Sequence, residues 1–235
     1  MNITIYNEFY HERQDKSVAE IYPDGIHMAL KRALETDGVT VRTVTLDCIE
    51  ELTDGVLSST DVLIWWGHMK HDDVPDEIAE RVKEYVLKGM GAIFLHSAHH
   101  SKPFRLLMGT PAHLSWREDG DREYLWAVNP AHPIAKGIGR YIKLEHEETY
   151  AEPFMIPEPD ELVFIGSFSG GEVIRAGCCF NRGYGRIFYF QPGHETYPTY
   201  YNEDIIRVIK NAVEWACPVS RIDELVCPHI AKIEE

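Results

Sequence analysis

The stretch GRIFYFQPGHETYPTYY, residues 185–201, constrains the fold more than any other part of the chain. Ile187, Phe188, Tyr189 and Phe190 are consecutive apolar or aromatic positions, so a strand here must be covered on both faces. Pro192-Gly193 stop it abruptly, and His194, Glu195, Tyr197 and Tyr201 follow within a few residues. An apolar strand that delivers polar side chains at its carboxyl end is how an open α/β sheet presents an active site.

The rest of the chain repeats that pattern. Residues 3–6 read as a first strand, and His11 lies in the loop behind it. Pro23-Asp24 suit a helix start, and Ile26, Leu30, Ala33 and Leu34 then share one helical face before Gly38. Residues 39–46 alternate as a second strand. Residues 61–66 form a third, uniformly apolar one that ends at Gly67-His68. Pro75 opens a helix with Ile78, Val82, Tyr85 and Val86 on one face, closed by Gly89, and residues 91–95 deliver His96-Ser97-Ala98-His99-His100. Strands alternating with helices imply a doubly wound, mostly parallel sheet. Residues 109–150 break the pattern with short alternating pieces and turn signals at Asp119-Gly120-Asp121 and Asn129-Pro130, an added antiparallel β region. Residues 173–180 and 186–190 form a hairpin, and a last helix carries Ile205, Ile209, Ala212, Val213 and Ala216. One α/β domain over 1–217 and a tail over 218–235 are expected.

Composition limits the partners. A formal charge of −15 in 235 residues, with no basic stretch, argues against nucleic acid and against an anionic membrane surface. No apolar run reaches the length of a membrane span, and the amino terminus lacks the apolar core of a signal peptide. Five cysteines without a C-x-x-C pair fit a reducing cytoplasm. Neither phosphate-binding glycine motif is present, so no nucleotide cofactor is expected.

Four polar segments carry candidate chemistry. In the turn after residue 95, His96 is the stronger candidate; Ser97 is either a nucleophile, a ligand contact or a helix cap. In Trp65-Trp66-Gly67-His68, Trp65 belongs to the core, while Trp66 and His68 suit the rim of a sugar site. In Glu145-His146-Glu147-Glu148-Thr149-Tyr150, a strand places Glu148 on the face of His146 and Tyr150, and the competing reading is a solvated charge run. The fourth is His194-Glu195 with Tyr197. Histidines from separate loops, with His11, His96 and His194 as ligands, would suit zinc or another divalent ion.

Tyr22-Pro23-Asp24-Gly25-Ile26-His27, Trp65-Trp66-Gly67-His68, Gly91-Ala92-Ile93-Phe94-Leu95-His96-Ser97, Glu147-Glu148-Thr149-Tyr150 and residues 185–201 together resemble the ThuA, or trehalose-utilisation, family, related to class I glutamine amidotransferases. The resemblance implies a flavodoxin-like, amidotransferase-type three-layer sandwich and a role with trehalose or related glycosides. It also implies a departure: the amidotransferase nucleophilic cysteine sits where this chain has His96-Ser97, and the later histidine and glutamate fall near His194 and Glu195 without the His-x-Glu spacing. Glutamine hydrolysis through a thioester would then lack its nucleophile. The first expectation is a metal-assisted enzyme of sugar metabolism. It would use His96, Glu148 and His194 for chemistry, and Trp66, His68, Ser97, Glu195 and Tyr197 for a sugar ligand. The second is a non-catalytic sugar-binding or regulatory protein on the same fold. The added β region and the tail make a homo-oligomer the expectation for assembly.

Overall fold

The computed structural model describes residues 1–234. Its helices are α1 (His11–Gln14), α2 (Lys16–Ile21), α3 (Ile26–Leu34), α4 (Asp54–Ser59), α5 (Asp76–Leu87), α6 (Lys102–Met108) and α7 (Glu203–Ala216). Its strands are β1 (Asn2–Asn7), β2 (Thr40–Thr45), β3 (Val62–Trp66), β4 (Gly91–Leu95), β5 (Ser115–Ala127), β6 (Tyr141–Ala151), β7 (Glu161–Phe168), β8 (Val173–Arg182) and β9 (Gly185–Phe190).

All nine strands join one sheet in the order β2-β1-β3-β4-β9-β8-β7-β5-β6. From β2 to β9 neighbouring strands are parallel, and from β9 to β6 they are antiparallel. The uniformly buried runs of β3 and β4 belong to the parallel half, as their lack of alternation requires. Right-handed crossovers put α3 and α5 on opposite faces, because the chain moves from β1 toward β2 in one case and from β3 toward β4 in the other. Helix α3 contacts α7, whereas α5 contacts α4 and α6, which completes the three layers. Among the described residues no helix is long and apolar enough to cross a membrane.

Register decides where the polar loops emerge. Asn7 pairs with Trp66, Trp66 with Leu95, and Leu95 with Phe190, so four parallel strands end in one row. Glu8, Gly67, His96 and Gln191 therefore leave the sheet side by side. The Asp119-Gly120-Asp121 segment, expected to be a turn, lies within β5 instead. The ladder with β6 shifts register on either side of Asp121, and Gly120 takes φ 70°. A long antiparallel partner lets the extra residues be absorbed as a bulge rather than a chain reversal. Arg117 holds this bulge from within through Asp121 and Glu172. The short pieces expected within residues 109–150 are thus parts of two long strands, β5 and β6. Residues 218–234 carry no helix or strand, and Arg221 ties them to the body by donating to the Ser58 carbonyl at 2.7 Å.

Helix ends follow local chemistry. Ser101 caps α6 by accepting from the Phe104 amide at 3.4 Å, and Gly109 closes it in the left-handed conformation. The capping role open to Ser97 in the sequence thus falls to Ser101. Beyond β6, Glu152 accepts from the Phe154 amide at 2.6 Å and from Arg175 Nε at 2.7 Å. Burial works to raise this carboxyl, but Arg175 and the backbone amides outweigh it and hold it below the usual range.

This geometry bears on stability in two measurable ways. A Cβ on Gly185 would lie 2.1 Å from the Val86 carbonyl oxygen, whereas one on Gly139 would meet nothing within 4 Å. Denaturant unfolding is expected to show Gly185→Ala destabilised by about 1–3 kcal/mol and Gly139→Ala by less than about 0.5 kcal/mol; equal midpoints would contradict the close contact of β9 with α5. For Glu152, a folded value below the unfolded one, about 4.3, gives stabilisation that is complete at neutral pH and lost as pH falls through the folded value. The stability gap between wild type and Glu152→Gln should therefore be widest near pH 7 and narrow in acid, and a constant gap would refute the charge-based account.

Candidate active site

At the end of β4 the chain turns sharply, and His96 takes φ 52°, an uncommon conformation for a non-glycine residue. The turn lays its imidazole under the edge of the sheet, fully buried and stacked on Tyr150 at 4.9 Å. His96 Nδ1 donates to the Gln191 carbonyl at 2.9 Å, because a carbonyl can only accept. In the neutral ring Nε2 is then a bare acceptor, and it faces Glu148 Oε2 at 3.0 Å. That approach is too poorly aligned for a hydrogen bond and leaves Glu148 Oε2 without a partner.

His194 arrives from β9 through Gln191-Pro192-Gly193. Gly193 has φ 131°, and a Cβ there would sit 2.0 Å from the Tyr200 hydroxyl, so only glycine passes. Glu147 pins the loop by accepting from the Gly193 and His194 amides, each at 3.0 Å, and from the Thr199 hydroxyl at 2.8 Å. Burial pushes the Glu147 carboxyl up, and these donors oppose that push. His194 Nδ1 lies 2.7 Å from the Thr196 hydroxyl and accepts from the Thr196 amide at 3.3 Å, while Nε2 is buried with no hydrogen-bond partner. Burial lowers the His194 imidazole to about 4 despite the nearby Glu195 and Glu148 charges, so it is neutral at pH 7.

His68 follows β3. The buried Glu8 carboxylate accepts from the amides of His68, Met69 and Lys70 at 2.7–2.9 Å and sets this loop in place. His68 Nδ1 contacts both Glu195 oxygens, at 2.8 and 2.9 Å, and His11 Nδ1 lies 2.6 Å from the same carboxylate. Burial would raise Glu195, but His11 and His68 outweigh it and hold the carboxyl far below its usual range. Burial likewise works to lower His68, yet Glu195 prevails and raises it. For Glu148, burial raises and His96 with its neighbouring histidines lowers; the histidines win.

One nitrogen each from His68, His96 and His194, and one oxygen of Glu148, lie within 4.8 Å of one another. A second group, His11, His68 and Glu195, adjoins it through His68. Each of the three central imidazoles is anchored at Nδ1, by Gln191, Glu195 or Thr196, which leaves Nε2 to the centre. Imidazole nitrogens gathered around a carboxylate oxygen, with buried atoms unpartnered, are ligand atoms of the kind that a divalent cation brings together. Three of the four, His68, Glu148 and His194, line a cleft of about 490 Å³.

The other expected residues spread around this centre. Ser97 lines the cleft and its hydroxyl is 2.5 Å from that of Tyr150, with no histidine as base. Trp66 is fully buried, its indole N–H donating to the Gly193 carbonyl at 3.1 Å, so it braces the His194 loop from below instead of standing at the rim. Tyr197 stacks on His146 at 6.3 Å and reaches His194 at 5.7 Å, outside the cleft lining. Sequence patterning does not single out Glu8, Glu147 or Gln191. Glu147 cannot be told from its neighbours that way, since Glu147, Glu148, Thr149 and Tyr150 are all buried and alternation fails there. A further row of histidines, His71, His99, His100 and His113, lines the far wall. His99 is buried, and burial holds it well below the ordinary histidine range.

Known proteins agree with this architecture. A ThuA-like protein from Parabacteroides merdae superposes with TM-score 0.68 at 19% identity, over 94% of this chain and 92% of that one. A Thermoplasma acidophilum protein described as part of a GMP synthase gives 0.57 at 14% identity, over 91% and 92%. The β-galactosidase of Rahnella sp. R3 gives 0.57 at 15% identity, over 92% of this chain and 31% of that one. At such identities the likeness is one of fold, here the class I glutamine amidotransferase type. No curated protein matches the chain in sequence. The family model for ThuA, described as trehalose utilisation, matches residues 2–216. The chain belongs to the ThuA family.

Proposed function

We propose that the protein is a divalent-cation-dependent enzyme acting on a sugar or sugar derivative. The observation that carries this reading is the convergence of three Nδ1-anchored imidazoles on the unpartnered oxygen of Glu148. His68, His96 and His194 would hold the ion, and zinc fits three nitrogen donors with an open position. The ion, when bound, would polarise a substrate oxygen and stabilise charge that develops on it. The family's description as trehalose utilisation supports a sugar as the substrate class.

The protein's own groups divide the remaining work. Glu148, ionised and close to the histidines, accepts a proton from water or a sugar hydroxyl. Glu195 keeps a proton on His68 Nδ1 and so presents its Nε2. Tyr150 holds the His96 ring in plane and donates toward Ser97 or Nε2. Thioester chemistry has no support here: the elbow residue is His96, and Cys178 is buried in β8 with its thiol pushed up to about 12.

Zinc affinity, read by competition with a chromophoric chelator, is expected to fall more than about 100-fold in His96→Ala and in His194→Ala, and about 10–100-fold in Glu195→Gln, which alters the partner of His68 and His11 and removes none of the three proposed ligands. Wild-type zinc occupancy in both alanine variants would end the metal assignment. Zinc at 100 times its Kd should add about 2.7 kcal/mol of stability that a chelator removes. If the zinc form binds trehalose yet releases no product after prolonged incubation, the protein is a binding protein on this fold.

A further inference from the structure

In the β5–β6 ladder Trp116 stands directly opposite Tyr150. Residues directly opposite in an antiparallel pair project from the same face. Tyr150 lies on His96 and bonds Ser97, so that face is turned toward the histidine centre. Alternation puts Glu118 beside Trp116 and Glu148 beside Tyr150, and all four line the cleft. Yet Tyr150 and Glu148 are buried, whereas Trp116 is 67% exposed. It is a large aromatic held over the mouth of a polar cleft, with no ring stacked on it among the described residues. A lone exposed apolar residue needs no explanation by itself; this one has a fixed position over the candidate chemistry.

Charge narrows what could lie beneath it. Asp15, Glu118, Glu148 and Glu195 line the cleft, and among the described lining residues there is no lysine or arginine. Phosphate esters are ordinarily gripped by Arg or Lys, which this cleft does not offer. His11 and His68 are already taken up by Glu195, so even with a divalent ion the cleft has no surplus of positive charge to draw a phosphate. A pyranoside fits instead: its C–H face packs on the indole, and its hydroxyls donate to the carboxylates.

We propose that Trp116 is the stacking platform for an uncharged, unphosphorylated glycoside, and that the cleft discriminates against sugar phosphates. The proposal rests on the reading of the cleft as a sugar site. Calorimetric titration of the zinc-loaded protein with trehalose, maltose and trehalose 6-phosphate tests it. One or both neutral disaccharides should bind, Trp116→Ala should weaken that binding roughly tenfold, and Trp116→Phe should recover most of it. The 6-phosphate should bind at least about tenfold more weakly than the neutral sugar. Unchanged affinity in Trp116→Ala, equal or tighter binding of the phosphate, or no binding of either neutral disaccharide would overturn the proposal. Zinc affinity measured on the same samples separates the two ideas. Loss of sugar discrimination with normal zinc binding removes only the platform, whereas absent zinc binding in the wild type removes the metal centre itself.

Discussion

Backbone amides that leave the carboxyl edge of a parallel sheet have lost their ladder partners, and here buried carboxylates supply the replacement acceptors. Glu8 takes the amides of the His68 loop, and Glu147 those of the His194 loop. Glu12 takes the Ile26 amide at the start of α3 and the Asn7 side chain at the end of β1. Orphaned buried amides are costly, and a charged acceptor that takes several at once offsets both their desolvation and its own. The loops that carry the histidines are held by these residues more than by any helix. Part of the acidity of the chain is therefore structural and faces inward.

The same device leaves the centre short of positive charge. Glu148 and Glu195 stand among imidazoles of which burial keeps His194 neutral, whereas Glu195 raises His11 and His68. Glu195 is balanced by His11 and His68, but Glu148 has only ring nitrogens whose other sides are already engaged. Its unpartnered oxygen and the unpartnered His194 nitrogen stand 3.9 Å apart, and buried polar atoms left in this way are costly unless a further charge or proton joins them.

Much of this is legible in the chain before folding. Runs without alternation at 61–66, 91–95 and 187–190 announce strands buried on both faces, and the turn behind each announces the loop that carries His68, His96 or His194. Their convergence needs register, which no local pattern contains: only the pairing of Trp66 with Leu95 and Leu95 with Phe190 brings the three loops level. Trp66 resembles a rim residue because it precedes Gly67, yet the last residue of a central strand still lies inside the sheet. Trp116, at the start of a strand whose neighbours are charged, carries no signal until its partner across the ladder is known. The Asp119-Gly120-Asp121 bulge reads as a turn because the two share their residue preferences and differ only in whether a second strand is there to continue the ladder.

The strand order has a consequence for how the chain is made. β9 lies between β4 and β8, although it is the last strand to be synthesised. Until residues 185–190 emerge, the edge of β4, the apolar Gly-Ala-Ile-Phe-Leu run, stays unpaired while β1 to β3 are already available. An exposed, uncharged strand edge is an adhesive surface for any other chain. The elbow that sets His96 is thus made long before the partner that closes its sheet.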